Sequence, residues 1–337
     1  MGSIREQLTT SWAKLAVGAS GPREWRALRL DVPHVLNVFA AVRESDCTRA
    51  ILFECANGAA PPWRMRFESE GLALIDERDA REGVMRVALV VERPDLESVV
   101  LVIADDLVRS SIPAANAADA MTAVAARLSA WQTCLKLRRD GFGRERMLGL
   151  FGELIVMERL GAAIGFDRSV ENWTGPDRGL HDFELAGEAI EVKTTSGSAG
   201  LMHITGLDQL DIGGLDSLTL CRVVVVPDDR GVDIDRVVAR IRAAADGFGH
   251  RIRQAVDRGL LMTGYVDANS VGERYEKLSV VAVEGYEVRD AFPRLTRGIV
   301  AGGIVAAEYR LDSAGVTDYR MSDESLERAF GRFAKGG

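Results

Sequence analysis

The sequence predicts a mixed α/β (α+β) protein, in which a mixed β-sheet flanked by helices follows a β-rich N-terminal domain. Three observations predict it. Residues 25–110 alternate short apolar runs with turn signals, the pattern of a strand meander. Residues 114–138 and 144–164 carry apolar side chains at helical spacing. The order then runs hairpin, helix, buried strand, helix, as a sheet covered by helices requires. At 337 residues the chain is longer than one usual domain of about 100–200, and two are expected, 1–135 and 136–337.

The elements follow in order. The runs WRALRL, AILFECA, WRMRFES, MRVALVVE and SVVLVIADDL read as strands, with one helix at Val35–Ser45 and a loop at NGAAPP, 57–62. The alanine-rich helix 114–138 ends at Arg138-Arg139-Asp140-Gly141-Phe142-Gly143, where two glycines punctuate. A second helix spans Arg144–Ile164, and 165–179 read as a loop. A strand, Leu180–Leu185, turns through Ala186-Gly187-Glu188 into a second strand, Ala189–Thr195. Residues 204–211 read as a short helix. Leu218–Val226 contains TLCRVVVV, nearly all apolar, which fits a strand buried on both faces. A helix at Asp233–Ala244 and strands at Leu278–Glu287 and Ile304–Leu311 complete the chain.

Composition narrows the function classes. Hydrophobic residues make up 47% and charged residues 27%, which excludes wholesale disorder. The formal charge of −8 argues against a protein that coats nucleic acid non-specifically and leaves room for a local basic patch. The four cysteines form no CxxC pair or zinc-ligand spacing and read as reduced thiols. No apolar stretch reaches the roughly 20 residues of a membrane span, so a cytoplasmic protein without a membrane partner is expected. Only five of the 42 basic residues are lysines, which makes a lysine inside a motif more informative.

One of the five, Lys193, lies in the only E-x-K of the sequence, Glu191-Val192-Lys193. Side chains alternate across a strand, so Glu191 and Lys193 share the face opposite Ile190 and Val192. The tight turn folds Asp182 back toward Glu191. Two carboxylates at close range repel and call for a cation between them. Magnesium suits such hard oxygen ligands, lowers the pKa of bound water and neutralises phosphate charge. Lys193 can orient or deprotonate the attacking water, or neutralise the pentavalent phosphate. The pattern reads as metal-assisted phosphodiester hydrolysis. The plainer alternative is a solvated hairpin face with an ion pair worth under about 1 kcal/mol.

The D-x(8)-E-x-K layout, with a glutamate on the preceding helix, resembles the PD-(D/E)XK nuclease superfamily, the restriction-endonuclease-like fold. Further segments are similar to a bacterial branch of it, the domain-of-unknown-function class DUF4420. They are Gly149-Leu150-Phe151-Gly152-Glu153-Leu154, Trp173-Thr174-Gly175-Pro176, His181-Asp182-Phe183, Glu191-Val192-Lys193-Thr194-Thr195 and Asp208-Gln209-Leu210. So are Trp131 and the tail from Gly285-Tyr286-Glu287-Val288 through Phe292-Pro293-Arg294 to Glu308-Tyr309-Arg310-Leu311. His181 stands where the name-giving pattern has proline.

The resemblance implies a restriction-endonuclease-like core and a Mg2+-dependent (or Mn2+-dependent) endonuclease acting on DNA in restriction or phage defence. Asp182, Glu191 and Glu153 would be metal ligands, Lys193 the catalytic lysine, and Gln209 a glutamine facing the site from the next helix. Spacing alone does not choose between Glu153 and Glu158; the resemblance chooses Glu153. Helicase, ATPase or methyltransferase subunits are the partners such proteins suggest, and double-strand cutting would favour a homodimer. The alternative function is a non-cleaving nucleic-acid-binding or assembly subunit that retains the fold.

Four other features carry two readings each. Trp173 suits packing better than base stacking. Thr194, Thr195, Ser196 and Ser198 could bond phosphates or form a polar loop. His181 could touch DNA or stand at a loop edge. Lys136, Arg138, Arg139, Arg144 and Arg146, set against Asp140 and Glu145, could grip phosphates or solvate a helix end.

Overall fold

The computed structural model describes residues 2–17, 24–59, 64–79, 82–139, 141–177, 179–197, 200–268 and 272–334. The chain divides into two compact units, Met1–Arg139 with Asn269–Gly272, and Asp140–Ala268 with Glu273–Gly337.

The first unit joins helix α1 (Ile4–Leu15) to strands β1 (Trp25–Arg29), β2 (Asn37–Arg43), β3 (Arg49–Ala56), β4 (Glu68–Ser69), β5 (Leu72–Asp79) and β6 (Val84–Val91). Helices α2 (Glu97–Ser111) and α3 (Ala117–Leu137) follow. The strands form one antiparallel sheet in the order β1-β2-β3-β6-β5-β4. Ser3 opens α1 with a capping box, and α1 lays Leu8 and Trp12 on the sheet, where the Trp12 indole N–H donates to Ala50 O at 3.0 Å. Asp106 of α2 accepts both arms of Arg127 at 2.6 and 2.7 Å and the Trp131 indole N–H at 2.7 Å, which ties α2 to α3.

Three expectations here are corrected. Val35–Ser45 holds strand β2, not a helix. An interior strand covered on both faces, with Ala40, Ala41 and Val42 all buried, loses its alternation and imitates helical spacing. SVVLVIADDL lies in α2, not in a strand. Val100, Ile103, Ala104 and Leu107 form a helical stripe, legible only when the window extends past the apolar run. Of WRMRFES only Glu68–Ser69 enters the sheet. Residues 60–62 of the NGAAPP loop fall outside the described residues.

The second unit begins with helix α4 (Arg144–Ile164), then α5 (Phe166–Glu171) and a 3-10 turn at Gly175–Asp177. Strands β7 (Phe183–Leu185), β8 (Glu188–Ser196), β9 (Leu201–Ile204) and β10 (Ser217–Val232) follow. Helices α6 (Ile234–Asp246) and α7 (His250–Met262), strands β11 (Leu278–Val288) and β12 (Tyr309–Asp312), and helix α8 (Asp323–Arg332) complete it. The central sheet runs β11-β10-β8-β7, with β8 and β10 parallel and the outer pairs antiparallel, while β9 and β12 form a separate ribbon. One face packs Ile190, Val192, Cys221 and Val223 against α4, α6, α7 and α8. The other packs Ala189, Leu218, Leu220 and Tyr286 against the β9–β12 side.

Here too the expectations need adjusting. Residues 165–179 are not plain loop, since they hold α5 and the 3-10 turn. Residues 204–211 form no helix; β9 ends at Ile204 and turns follow. Of Ile304–Leu311 only the stretch from Tyr309 pairs as a strand. The β7–β8 turn is a two-residue one. Ala186 and Gly187 both take positive φ, 49° and 90°, as a type I′ turn demands.

How closely α4 approaches β8 is set by Gly152. A Cβ built there would lie 1.9 Å from Thr194 Oγ1 and 3.4 Å from Val192 Cγ1. Glycine inside a helix costs about 1 kcal/mol relative to alanine, and close packing on β8 offsets that cost. Gly152→Ala is therefore expected to lose about 1–2 kcal/mol by overpacking, despite its better helix propensity. Adding Thr194→Ala, which removes the clashing hydroxyl, should recover stability in denaturant melts. A double variant no more stable than Gly152→Ala would show that this contact does not set the spacing.

Candidate active site

The hairpin places Asp182 first. Phe183 pairs with Ile190, so Asp182, one residue earlier, stands opposite Glu191. Its Oδ2 accepts the Val192 backbone N–H at 2.7 Å. Glu191 is 2% exposed and its Oε1 lies 2.6 Å from Lys193 Nζ, so the solvated hairpin face is excluded. The Lys193 side chain keeps 15% of its surface and forms the open side of the cluster.

Residues 172–175 clamp the outer edge of β7. Glu184 N–H donates to Asn172 O at 3.0 Å, and the Thr174 and Gly175 N–H groups donate to Asp182 O at 2.9 and 3.1 Å. Thr174 Oγ1 donates to His181 O at 2.9 Å. The Trp173 indole N–H donates to Glu153 Oε2 at 2.8 Å, which fixes that carboxyl. A Cβ built on Gly175 would lie 3.0 Å from Asp182 Oδ1 and 3.4 Å from Glu153 Oε2, so both carboxyls flank one small space that a side chain would fill.

Glu153 is thus beside Asp182, whereas Glu158 pairs with Arg240 at 2.8 and 3.0 Å. Of the two glutamates that spacing left open, the structure brings Glu153 to the hairpin and turns Glu158 away from it. Gln209 also reaches the cluster, from a turn rather than a helix. Its Oε1 accepts the Thr205 N–H at 2.9 Å and lies 3.4 Å from Lys193 Nζ.

Burial sets the electrostatics. It pushes Glu191 up to about 8, helped by the neighbouring Asp182 charge and opposed by Lys193. Glu153 is driven well above the carboxylate range by burial and by Asp182, against the Trp173 N–H. Burial also raises Asp182, with Lys193 and the Val192 N–H opposing. Burial alone would lower Lys193, but the carboxyls of Glu191, Asp182 and Glu153 outweigh it and hold the ammonium above its usual value. Three carboxyls therefore face one ammonium, and the site carries more acid than it can neutralise.

Among the described residues, no group of three or more His, Cys, Asp or Glu side chains is arranged to hold a metal ion. One oxygen of each carboxyl is turned to a protein partner: Val192 for Asp182, Lys193 for Glu191, Trp173 for Glu153. The donor chemistry nonetheless fits a hard cation. All three donors are carboxyl oxygens, and a bound cation would take the place of the protons that burial keeps on Glu191 and Glu153.

Other expected groups are engaged elsewhere. His181 is buried, its N–H and Nδ1 lie 3.0 and 2.9 Å from Glu184 Oε1, and its Nε2 has no partner, so it braces the hairpin from within. The Thr194 hydroxyl points under α4, Thr195 Oγ1 accepts from Arg222 at 3.0 Å, and Ser196 Oγ accepts from Arg144 at 3.1 Å. Ser198 and Asp140 lie outside the described residues. The basic cluster is divided, with Lys136, Arg138 and Arg139 in the first unit and Arg144 and Arg146 in the second.

Sequence reasoning missed the Trp173–Glu153 hydrogen bond and a buried pair behind Lys193. Arg222 of β10, 7% exposed, bonds Thr195 and Glu284 on the Lys193 face. The signal was present: a lone arginine inside TLCRVVVV must find a buried partner.

With this geometry in place, comparison with known families becomes decisive. Residues 8–314 match the family described as "Putative PD-(D/E)XK family member", DUF4420. The chain belongs to that family. The PD-(D/E)XK assignment and the mixed α/β architecture inferred from sequence both stand. Searches of curated proteins and of solved structures returned no match. Among the described residues, no helix is long and apolar enough to cross a membrane.

A pH dependence follows from Glu191. In the folded chain it holds its proton up to about pH 8, whereas a free glutamate side chain loses it near 4.5. The folded state therefore binds more protons between these values, and stability falls as pH rises through the window. Glu191→Gln removes the titration. The variant's melting temperature relative to the wild type should rise from about pH 5 to about pH 9, by several degrees for a shift of a few pH units. A difference independent of pH would place Glu191 at its ordinary value.

Proposed function

We propose that this protein is a metal-dependent endonuclease that hydrolyses DNA phosphodiester bonds in restriction or phage defence. The observation that carries the reading is the set of three buried carboxyls facing one lysine, within a chain of the PD-(D/E)XK family. Asp182, Glu191 and Glu153 would hold Mg2+ or Mn2+. A bound ion supplies Lewis acidity and neutralises charge on the scissile phosphate.

The chain's own groups do the rest. The carboxyls around Lys193 keep its ammonium protonated, so Nζ serves as a cation and hydrogen-bond donor to the phosphate rather than as a base. Gln209 Oε1 orients that ammonium from the open side. Trp173 Nε1 holds Glu153 toward Asp182, and the Val192 N–H fixes the Asp182 carboxyl. Gly175 keeps the space between Asp182 and Glu153 clear of side-chain atoms. The same reading includes action in the cytoplasm, helicase, ATPase or methyltransferase partners, and a homodimer for double-strand cutting.

A second reading, a non-cleaving nucleic-acid-binding or assembly subunit, is favoured by one observation. Each carboxyl already has a protein partner, and among the described residues no ready metal cluster stands. Plasmid cleavage separates the two. With Mn2+ or Mg2+ the purified chain should nick or cut DNA, and Asp182→Ala and Lys193→Ala should each abolish it. Trp173→Phe should lower the rate by about 10–100-fold through a loosened Glu153. Cleavage at an unchanged rate in both Asp182→Ala and Lys193→Ala would overturn the assignment; no cleavage by the wild type and no calorimetric metal binding would leave the binding subunit.

A further inference from the structure

A polar cavity of about 620 Å³ opens between the end of β11, residues 318–322 and α8. Its wall carries Arg289, Arg320, Arg328 and Arg332, with Ser322 and Ser325 beside them. Glu287 and Asp318 share the wall, so four cations meet two anions in a chain of net charge −8. The volume is that of a small-ligand site. Guanidinium forks match phosphate oxygens in pairs, which makes clustered arginines a phosphate-binding chemistry. Ser322 already caps the end of α8, accepting the Ser325 N–H at 3.2 Å, so the arginines rather than the helix end define the cavity.

The four arginines fall into two kinds. Arg289 and Arg328 are rim residues. Arg289 lies 5.1 Å over the Tyr319 ring and 3.8 Å from Glu287, and Arg328 pairs with Glu324 at 2.9 Å. Both are more than half exposed, and such solvated pairs hold their partners weakly, so a phosphate recruits them at little cost. Arg332 and Arg320, the latter itself more than half exposed, connect to β8. Arg332 bonds Glu188, the first residue of β8, at 2.8 Å. Arg320 bonds Glu284 at 3.0 Å; Glu284 bonds Arg222 at 3.1 Å, and Arg222 bonds Thr195 near the far end of β8 at 3.0 Å. The strand bearing Glu191 and Lys193 is thus tied at its start to Arg332 and near its far end, through Arg222 and Glu284, to Arg320.

We propose that this cavity binds a small phosphate-bearing ligand of nucleoside polyphosphate size and, through Arg320 and Arg332, transmits its occupancy to β8. A free ligand fits better than duplex backbone because the cavity stands at the β11 edge of the central sheet and the carboxyl cluster at the opposite, β8–β7 side. The binding site itself does not depend on the nuclease reading.

The test titrates the full chain carrying Asp182→Ala, in EDTA, so that the carboxyl cluster and divalent cations play no part. The probes are ATP, GTP, pyrophosphate, inorganic phosphate and a short DNA duplex, followed by calorimetry. A nucleoside triphosphate should bind more tightly than inorganic phosphate. Arg289→Ala with Arg328→Ala, both rim positions, should weaken it about tenfold or more. Hydrogen exchange of Glu188–Ser196 should change on saturation in the parent and not in the rim variant. No triphosphate binding at millimolar concentration, equal binding in the rim variant, or binding of duplex alone would overturn the ligand site. Binding that leaves exchange in β8 unchanged would overturn the transmission.

Discussion

A surplus of buried carboxyl groups over cations organises the second unit. Asp182, Glu191 and Glu153 approach one another although each pushes its neighbours toward protonation, and Lys193 balances only part of them. Such a cluster persists only where the surrounding fold holds it in place. The constraints come from four directions: the Val192 N–H on Asp182, the Trp173 indole on Glu153, the Gly152 contact that seats α4 on β8, and the 172–175 clamp on the edge of β7. The apolar packing of α4, α6, α7 and α8 on one face supplies the stability that this arrangement spends.

Much of the site was legible because strand chemistry is local. Alternation alone put Glu191 and Lys193 on one face, and a two-residue turn set Asp182 opposite Glu191. Glu153 and Gln209 were legible only through resemblance, since nothing local says which face of a helix or turn meets a strand far along the chain. Gln209 lies beside Lys193 on a turn, where a helix was expected. The roles of Trp173 and Arg222 depend on tertiary neighbours, Glu153 and Glu284, that no short window contains.

The errors in the first unit share one cause. β2 is covered on both faces, and α2 opens with a run of valines; each hides its own period inside a short window. Burial on two sides erases the alternation that identifies a strand, and β-branched residues populate a helix when its stripe packs well. The long helices α3 and α4, with three or more turns of pattern, were read within a few residues of their limits.

The energetic imbalance of the carboxyl cluster also bears on engineering. Replacing Glu191 or Glu153 by a neutral residue of similar shape relieves repulsion inside a buried site. Substitutions of that kind commonly raise heat resistance where they fall in a strained, charged site, and the activity the site serves is what they give up. These carboxyls are therefore positions at which the chain can be made more heat-resistant without touching its apolar core.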